Sequence, residues 1–229
     1  MRKTACIFLI LLFLSLAASG LAQTTLTVLG EGEAYVPADT AVIFLGVSCQ
    51  SKDVMKAQSS VNEAIANIRR TLTMGGIPAE DINTDYINIH AVYDYSGSTE
   101  HLAAYGADST LAIRTTEIDR VGEVIDLAFS AGANTLNSID FSASDTAEAR
   151  KEALRAAVQN AQEKAAVLAE ASGLTLSGIA SLSENGTYSY ANTRGFDGAQ
   201  MGKSMDAATV VQSARLCVSA TVTVSYSAQ

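Results

Sequence analysis

Two histidines, His90 and His101, flank a turn-like SGSTE segment, with Asp94 and Glu100 beside them. Imidazoles and carboxylates facing each other across two strands would form the donor set of a metal site. The ligand spacings of known sites are missing. There is no HExxH pair, and no DxDxDG loop arranges carboxylates around calcium. Polar residues on a wet strand face account for both histidines more simply. Nucleophilic catalysis lacks its turn as well, since no GxSxG sets a serine between strand and helix. Gly30-Glu31-Gly32 lies in a β-rich stretch, without the third glycine and following helix of a dinucleotide fingerprint. Gly195, Gly198 and Gly202 have no Lys-Ser/Thr pair, so neither group cradles a phosphate. No catalytic residue, metal ligand or cofactor site is assigned.

Two other residue types remain. Cys49 and Cys217 both fall in segments that read as strands, and no CxxC suggests a zinc ribbon or a redox pair. Two readings stand: a disulfide tying the N-terminal half to the last strand, or two buried thiols serving as small apolar side chains. Tyr86, Tyr93, Tyr95 and Tyr105 concentrate around one hairpin. They read as a stacked core or a subunit contact in preference to a ligand platform, because tyrosine's amphipathic ring suits interfaces.

The elements that must position these residues alternate between periods of two and about 3.6, which predicts an α+β fold. Thr25 to Tyr35 and Thr40 to Cys49 are expected to form a two-stranded hairpin. From Asp53 to about Met74, Val54, Ala57, Val61, Ile65, Ile68 and Leu72 share one helical face, and Gly75-Gly76 stops the helix. Asp81 to Asp94 alternates, with Tyr86, Asn88 and His90 on one side and Ile87, Ile89 and Ala91 on the other. Ala104 to Thr115 returns as its hairpin partner. Thr116 and Asp119 resemble a capping box before a helix with an Ile118, Val121, Ile125, Phe129 stripe that ends at Gly132. Leu136 to Ser142 is a strand. Asp145 and Glu148 open the longest helix, to about Ser172, with Leu154, Ala157, Val158, Ala161, Ala165 and Leu168 facing the core. Its alanines let the helix lie close to a sheet or to another helix. Thr175 to Ser183 and Leu216 to Tyr226 complete the strands. The strand, helix, glycine, strand succession occurs from Ala41 to Ile89 and again from Asp108 to Phe141, so the fold is expected to be duplicated. The stretch from Glu184 to Gln212 reads as a flexible surface loop, the alternative being an interaction arm in an assembly. It contains the formal sequon Asn185-Gly186-Thr187.

Compartment and partners follow from the N-terminus and the charge. Met1 to Ala22 has a basic start in Arg2 and Lys3, an apolar run from Ile7 to Leu14, and Gly20-Leu21-Ala22 as a cleavage signature. It reads as a signal peptide, being short for a spanning helix of about 20 residues. A single domain over 23–229 is expected. The chain has 229 residues with net charge −9. Removing the leader takes two basic residues and no acidic ones, so the exported chain is more acidic still. Such a chain lacks the clustered Lys and Arg that displace counterions from nucleic acid; Arg114 and Arg120 form no patch.

Four stretches together resemble the SIMPL domain family, formerly DUF541. They are VLGEGEAYVPADTAVIFLGV at Val28 to Val47, GIPAEDINTDYINI at Gly76 to Ile89, DRVGEVIDLAFSAGANTLNSIDFSASD at Asp119 to Asp145, and ALRAAVQNAQEKAAVLAEASGLTLSGIASLSE at Ala153 to Glu184. Their order and spacing carry the resemblance, which covers nearly the whole exported chain. Pro37-Ala38-Asp39 departs from the adjacent Pro-Asp of many members, so the turn there is expected to differ; Ser177-Gly178 stands where Leu-Gly is common. The resemblance implies an exported periplasmic or outer-membrane-associated immunogenic protein, without established catalytic residues and linked to oxidative-stress tolerance, some relatives forming ring-like assemblies. It transfers no functional site. The expectation is a non-enzymatic envelope protein that self-assembles into a homo-oligomer, with peripheral membrane association and an unknown small-molecule ligand left open. The alternative is a soluble small-molecule or partner-binding module.

Overall fold

The computed structural model describes residues 24–95, 100–192, 209, 211 and 215–229. The leader, the hairpin tip at 96–99 and most of the expected loop lie outside the described residues. Among the described residues seven strands and three helices follow in the order β1 (Thr24–Pro37), β2 (Thr40–Ser51), α1 (Val54–Met74), β3 (Ile82–Asp94), β4 (His101–Thr115), α2 (Val121–Ser130), β5 (Thr135–Ser142), α3 (Ala147–Ser172), β6 (Leu176–Asn192) and β7 (Arg215–Ala228). Single 3-10 turns occupy Ala79–Asp81 and Ile118–Arg120. The α+β class read from the sequence is what the structure shows. The chain divides into two units: one of residues up to Glu33 with Lys151–Thr187 and Ser219–Gln229, the other of Ala34–Arg150 and Tyr188–Val218.

In the larger unit a four-stranded antiparallel sheet has the order β3-β4-β2-β5. With α1 after β2 and α2 after β4, this is the βαββαβ order of split-βαβ folds. Helix α1 starts where the Asp53 carboxylate accepts the amides of Met55 and Lys56. It ends in a Schellman motif: Ile77 N–H donates to Leu72 C=O, Gly76 N–H donates to Thr73 C=O, and Gly76 takes φ 96°. Its buried stripe is Ala57, Val61, Ile68 and Leu72. These residues share one core with Ile43 and Leu45 of β2, Leu111 and Ile113 of β4, and Val121, Val124 and Ile125 of α2.

Three expectations need correction here. The Thr116–Asp119 capping box does not form. Instead the Thr115 hydroxyl accepts the Glu117 amide, and a 3-10 turn leads into α2 without a side-chain cap. Phe129 leaves the expected stripe and is 42% exposed, because α2 is only 10 residues long and Phe129 lies in its last turn. The third correction concerns the first two strands: β1 pairs with β7, not with β2. At the Pro37-Ala38-Asp39 turn the Asp39 amide donates to Ser142 C=O. Its carboxylate accepts the amide and hydroxyl of Ser144 and the hydroxyl of Thr40. Chain direction at the turn is thus set by the end of β5, and β2 pairs there with β5.

In the smaller unit the sheet order is β1-β7-β6. Along β7, Ala220, Val222, Val224 and Tyr226 are buried, and the intervening Ser and Thr are half-buried. Along β1 the buried positions are Val28, Gly30 and Gly32. Helix α3 buries Ala153, Ala157, Ala161, Ala165 and Ala169, which repeat every four residues, while Leu168, expected in the stripe, is 45% exposed. A Cβ at Gly30 would fall 2.1 Å from Ala157 O, and one at Gly32 would fall 2.2 Å from Ala153 O. Helix backbone therefore rests directly on strand backbone, and neither side can carry a larger residue. The helix ends at Gly173 (φ 66°) in the same Schellman pattern, Leu174 N–H to Ala169 C=O and Gly173 N–H to Glu170 C=O. Strand β6 continues to Asn192, beyond the Ser183 at which the loop was expected. Its Asn185 amide group donates to the Thr223 hydroxyl of β7. Among the described residues the Tyr226 hydroxyl is buried without a hydrogen-bond partner.

Candidate interaction edge

Helix α1 packs on β2 and β4 and barely reaches β3, so among the described residues one edge of the four-stranded sheet is left uncovered. The pairing of β3 with β4 explains what that edge presents. A register shift between Thr84 and Tyr86 leaves Asp85 as an extra residue. Beyond it Ile87 faces Ser109, Ile89 faces Ala107 and Ala91 faces Tyr105. Residues opposite each other in an antiparallel pair share a face, and β4 positions two apart share it too. Ile87 and Ile89 therefore project on the face where Ala107, Leu111 and Ile113 are buried. Tyr86, Asn88, His90 and Val92 project on the other, opposite Thr110, Asp108, Gly106 and Ala104. This is the alternation expected from the sequence. What the sequence does not show is that the apolar side is open: Ile87 is 64% exposed, and Ile89 with its outer neighbours Tyr93 and Leu102 is exposed as well. From Tyr86 to Val92 the strand has no Asp, Glu, Lys, Arg or Pro. Those are the residues that normally keep an open edge from pairing with another chain.

The four tyrosines do not form one stack. Tyr86, 52% exposed, lies on the face opposite to that of the half-buried Tyr105, because their β4 positions, Thr110 and Tyr105, differ by an odd number of residues. Tyr93 lies beyond a second register shift, and the Tyr95 hydroxyl donates to Glu100 Oε1 at 3.1 Å. The histidines are also separated along the hairpin. His90 Nδ1 lies 3.1 Å from Asn88 Nδ2 and 3.4 Å from Asp108 Oδ2, with its ring over Gly106. His101 pairs with Asp94 at 3.5 Å. Among the described residues no group of three His, Cys, Asp or Glu side chains is placed to hold a metal ion. Cys49 and Cys217 are both free, Cys49 half-buried on β2 and Cys217 fully buried on β7.

Electrostatic organisation elsewhere in this unit serves the fold. The Arg120 guanidinium bonds Glu123 and Glu117 and donates to Gly75 C=O at 2.8 Å, tying the end of α1 to the start of α2. Hydrogen bonding and charge from these carboxylates, Glu123 first, raise the Arg120 pKa, and Arg120 in turn lowers that of Glu123. Hydrogen bonds from Ser144, then Thr40, hold Asp39 below the usual carboxylate range. Thr209 bonds the Asp126 carboxylate through both amide and hydroxyl, and its carbonyl oxygen lies where a Cβ on Gly122 would fall.

In the smaller unit, Thr27, Val28, Leu29, Asn160, Lys164, Val167 and Leu168 line an open groove of about 570 Å³. Sequence reading missed Asn160 and Lys164, which looked like ordinary polar positions of an amphipathic helix. The available signal was the coincidence of Gly-x-Gly in a strand with alanine every fourth residue in a helix.

A family model described as "SIMPL: Protein of unknown function (DUF541)" matches residues 26–226. Over 164 residues the chain is 29% identical to the 26 kDa periplasmic immunogenic protein of Brucella melitensis biotype 1, covering 69% of this chain and 66% of that protein. It is 27% identical over 158 residues to uncharacterized protein YggE of Edwardsiella ictaluri, covering 68% and 66%. Against the YggE of Escherichia coli K12 it is 27% identical over 141 residues, covering 61% and 57%. The chain thus spans 57–66% of the length of these relatives.

Proposed function

The chain belongs to the SIMPL family, and from that premise we propose that it is an exported, non-enzymatic envelope protein that assembles with copies of itself through the β3 edge. The observation that carries this reading is the strand from Tyr86 to Val92, an edge strand with Ile87 and Ile89 exposed and no charged or proline guard. A second copy offers the same edge, so a two-fold pairing would satisfy both open backbones and cover both apolar rims at once. Export is supported by the leader-like N-terminus and by the name of the Brucella relative. Among the described residues no helix is long and apolar enough to cross a membrane. The stress tolerance implied by family resemblance would then belong to the assembly; the Cys217 thiol is buried, and a thiol acts on oxidants only when exposed.

The alternative, a small-molecule or partner-binding module, would draw on the groove beside α3. It is less well supported, because the Asn160 and Lys164 polar groups there already bond β1 backbone. The test is the molar mass of the exported, processed protein by light scattering at two concentrations and two salt strengths, beside the variant Ile87→Lys, Ile89→Lys. Both substituted side chains are exposed, so folding stays within about 0.5 kcal/mol per site. The expected result is a multiple of the subunit mass that falls in the variant. A parent that remains monomeric at every concentration overturns the proposal and moves the search to the groove.

A further inference from the structure

The smaller sheet also has an open edge, β1, but here the structure closes it. At the edge of a sheet every second residue of the strand turns both its N–H and its C=O outward. On β1 the Glu31 N–H donates to Asn160 Oδ1 at 3.1 Å, and the Leu29 C=O accepts from Lys164 Nζ at 3.0 Å. Two successive outward stations of the strand are therefore occupied by side chains of α3. The spacing fits. Four helical residues rise about 6 Å, and two strand residues span about 6.7 Å, so one turn of helix delivers one side chain to each station. The reach depends on the glycines: Gly30 and Gly32 let the α3 backbone sit on β1, close enough for Asn160 and Lys164 to bend around the edge.

We propose that Asn160 and Lys164 are an edge guard, two side chains whose role is to close β1 to strand addition by another chain. An incoming strand would have to displace both before it could pair at Leu29 or Glu31, and it would meet the Lys164 charge as it did so. The Gly-x-Gly of β1 then has a purpose unrelated to phosphate: it seats the helix that supplies the guard. The contrast with β3 is direct, since that edge carries neither a bonded lysine nor any other charge between Tyr86 and Val92.

The experiment compares three proteins with the parent: Asn160→Ala with Lys164→Ala, Asn160→Asp with Lys164→Arg, and Glu163→Ala. Glu163 is a helix neighbour whose carboxylate accepts from Gln159 Nε2, with no bond to β1 among the described residues. Amide exchange at Glu31 is read in dilute solution, and association by light scattering and seeded fibre growth at increasing concentration. The double alanine variant is expected to exchange Glu31 about tenfold faster and to associate beyond whatever mass the parent shows. The Asp/Arg pair, which keeps an acceptor and a donor, and Glu163→Ala should both behave as the parent. Unchanged Glu31 exchange in the double alanine variant overturns the proposal, and so does faster exchange without added association. If that variant does not fold, Asn160→Ala alone is read the same way. Because every comparison is with the parent's own mass, the outcome is separate from the question of assembly through β3.

Discussion

Replacing Gly32 by alanine adds one carbon where the structure has no room for it. An ideal Cβ would lie 2.2 Å from the Ala153 carbonyl oxygen and 2.3 Å from the Ala157 amide nitrogen. Both atoms are helix backbone, so no side chain can rotate aside. Favourable contact begins near about 3.5 Å, which means strand and helix must part by about 1 Å; a gap of that size forfeits roughly a quarter to a half of each dispersion contact. The loss is shared by the buried seam of Ala153, Ala157, Ala161, Ala165 and Ala169. Overpacking costs about 1–3 kcal/mol, and with backbone on both sides the upper end applies. The opposing effect, a stiffer unfolded chain, favours alanine by about 0.4–1 kcal/mol. The net expectation is a loss of about 2 kcal/mol, or a fall in Tm of roughly 4–8 °C for a chain of this size. Thermal unfolding followed by circular dichroism reads it, with Gly173→Ala alongside. At Gly173 nothing lies within 4 Å, but φ is 66°, so only the left-handed conformation is penalised, by about 1 kcal/mol. A Gly32→Ala protein as stable as the parent or more so would refute the backbone-on-backbone seat, and with it the reach of Asn160 and Lys164 around the edge.

Two further predictions concern single polar groups. The Asp39 pKa is lowered in the folded state, so its contribution is complete above the unfolded value near 3.8 and is lost as pH falls through the folded one; the Tm gap between the parent and Asp39→Asn should close on acidification below about pH 4, and a gap constant from pH 6 to pH 2 would contradict this. The Tyr226 hydroxyl is buried without a partner, so Tyr226→Phe should leave stability unchanged or raise it by up to about 1 kcal/mol. A clear loss in denaturant unfolding would show that the hydroxyl has a partner in solution.

The features legible in the sequence are those written within a few residues of one another. The start of α1 near Asp53, the glycines after each helix, the Ala57-Val61-Ile68-Leu72 stripe and the alternation of Ile87 and Ile89 all act through local backbone geometry or a short period. Each is found in the structure where the sequence puts it. The Thr116 cap does not form: the chain enters α2 through a 3-10 turn with Glu117 at the cap position, and the Thr115 hydroxyl accepts the Glu117 amide, a shift of one residue that residue types alone do not rank.

Partner choice is different in kind. The period of two in β1 suits β2 or β7 equally well; the structure pairs it with β7, while the Asp39 turn that separates it from β2 is held by Ser142 and Ser144, more than 100 residues away in the chain. Gly30 and Gly32 carry no side chain to advertise the helix they admit, and Asn160 and Lys164 look like any solvated helix positions until α3 lies on β1. The sequence by itself determined the element types and the glycine stops of the helices, because those free energies are local. Only the tertiary structure decided which edge is closed and which is open, because an edge is defined by the absence of a neighbour, and neighbours in a sheet are chosen across the whole chain.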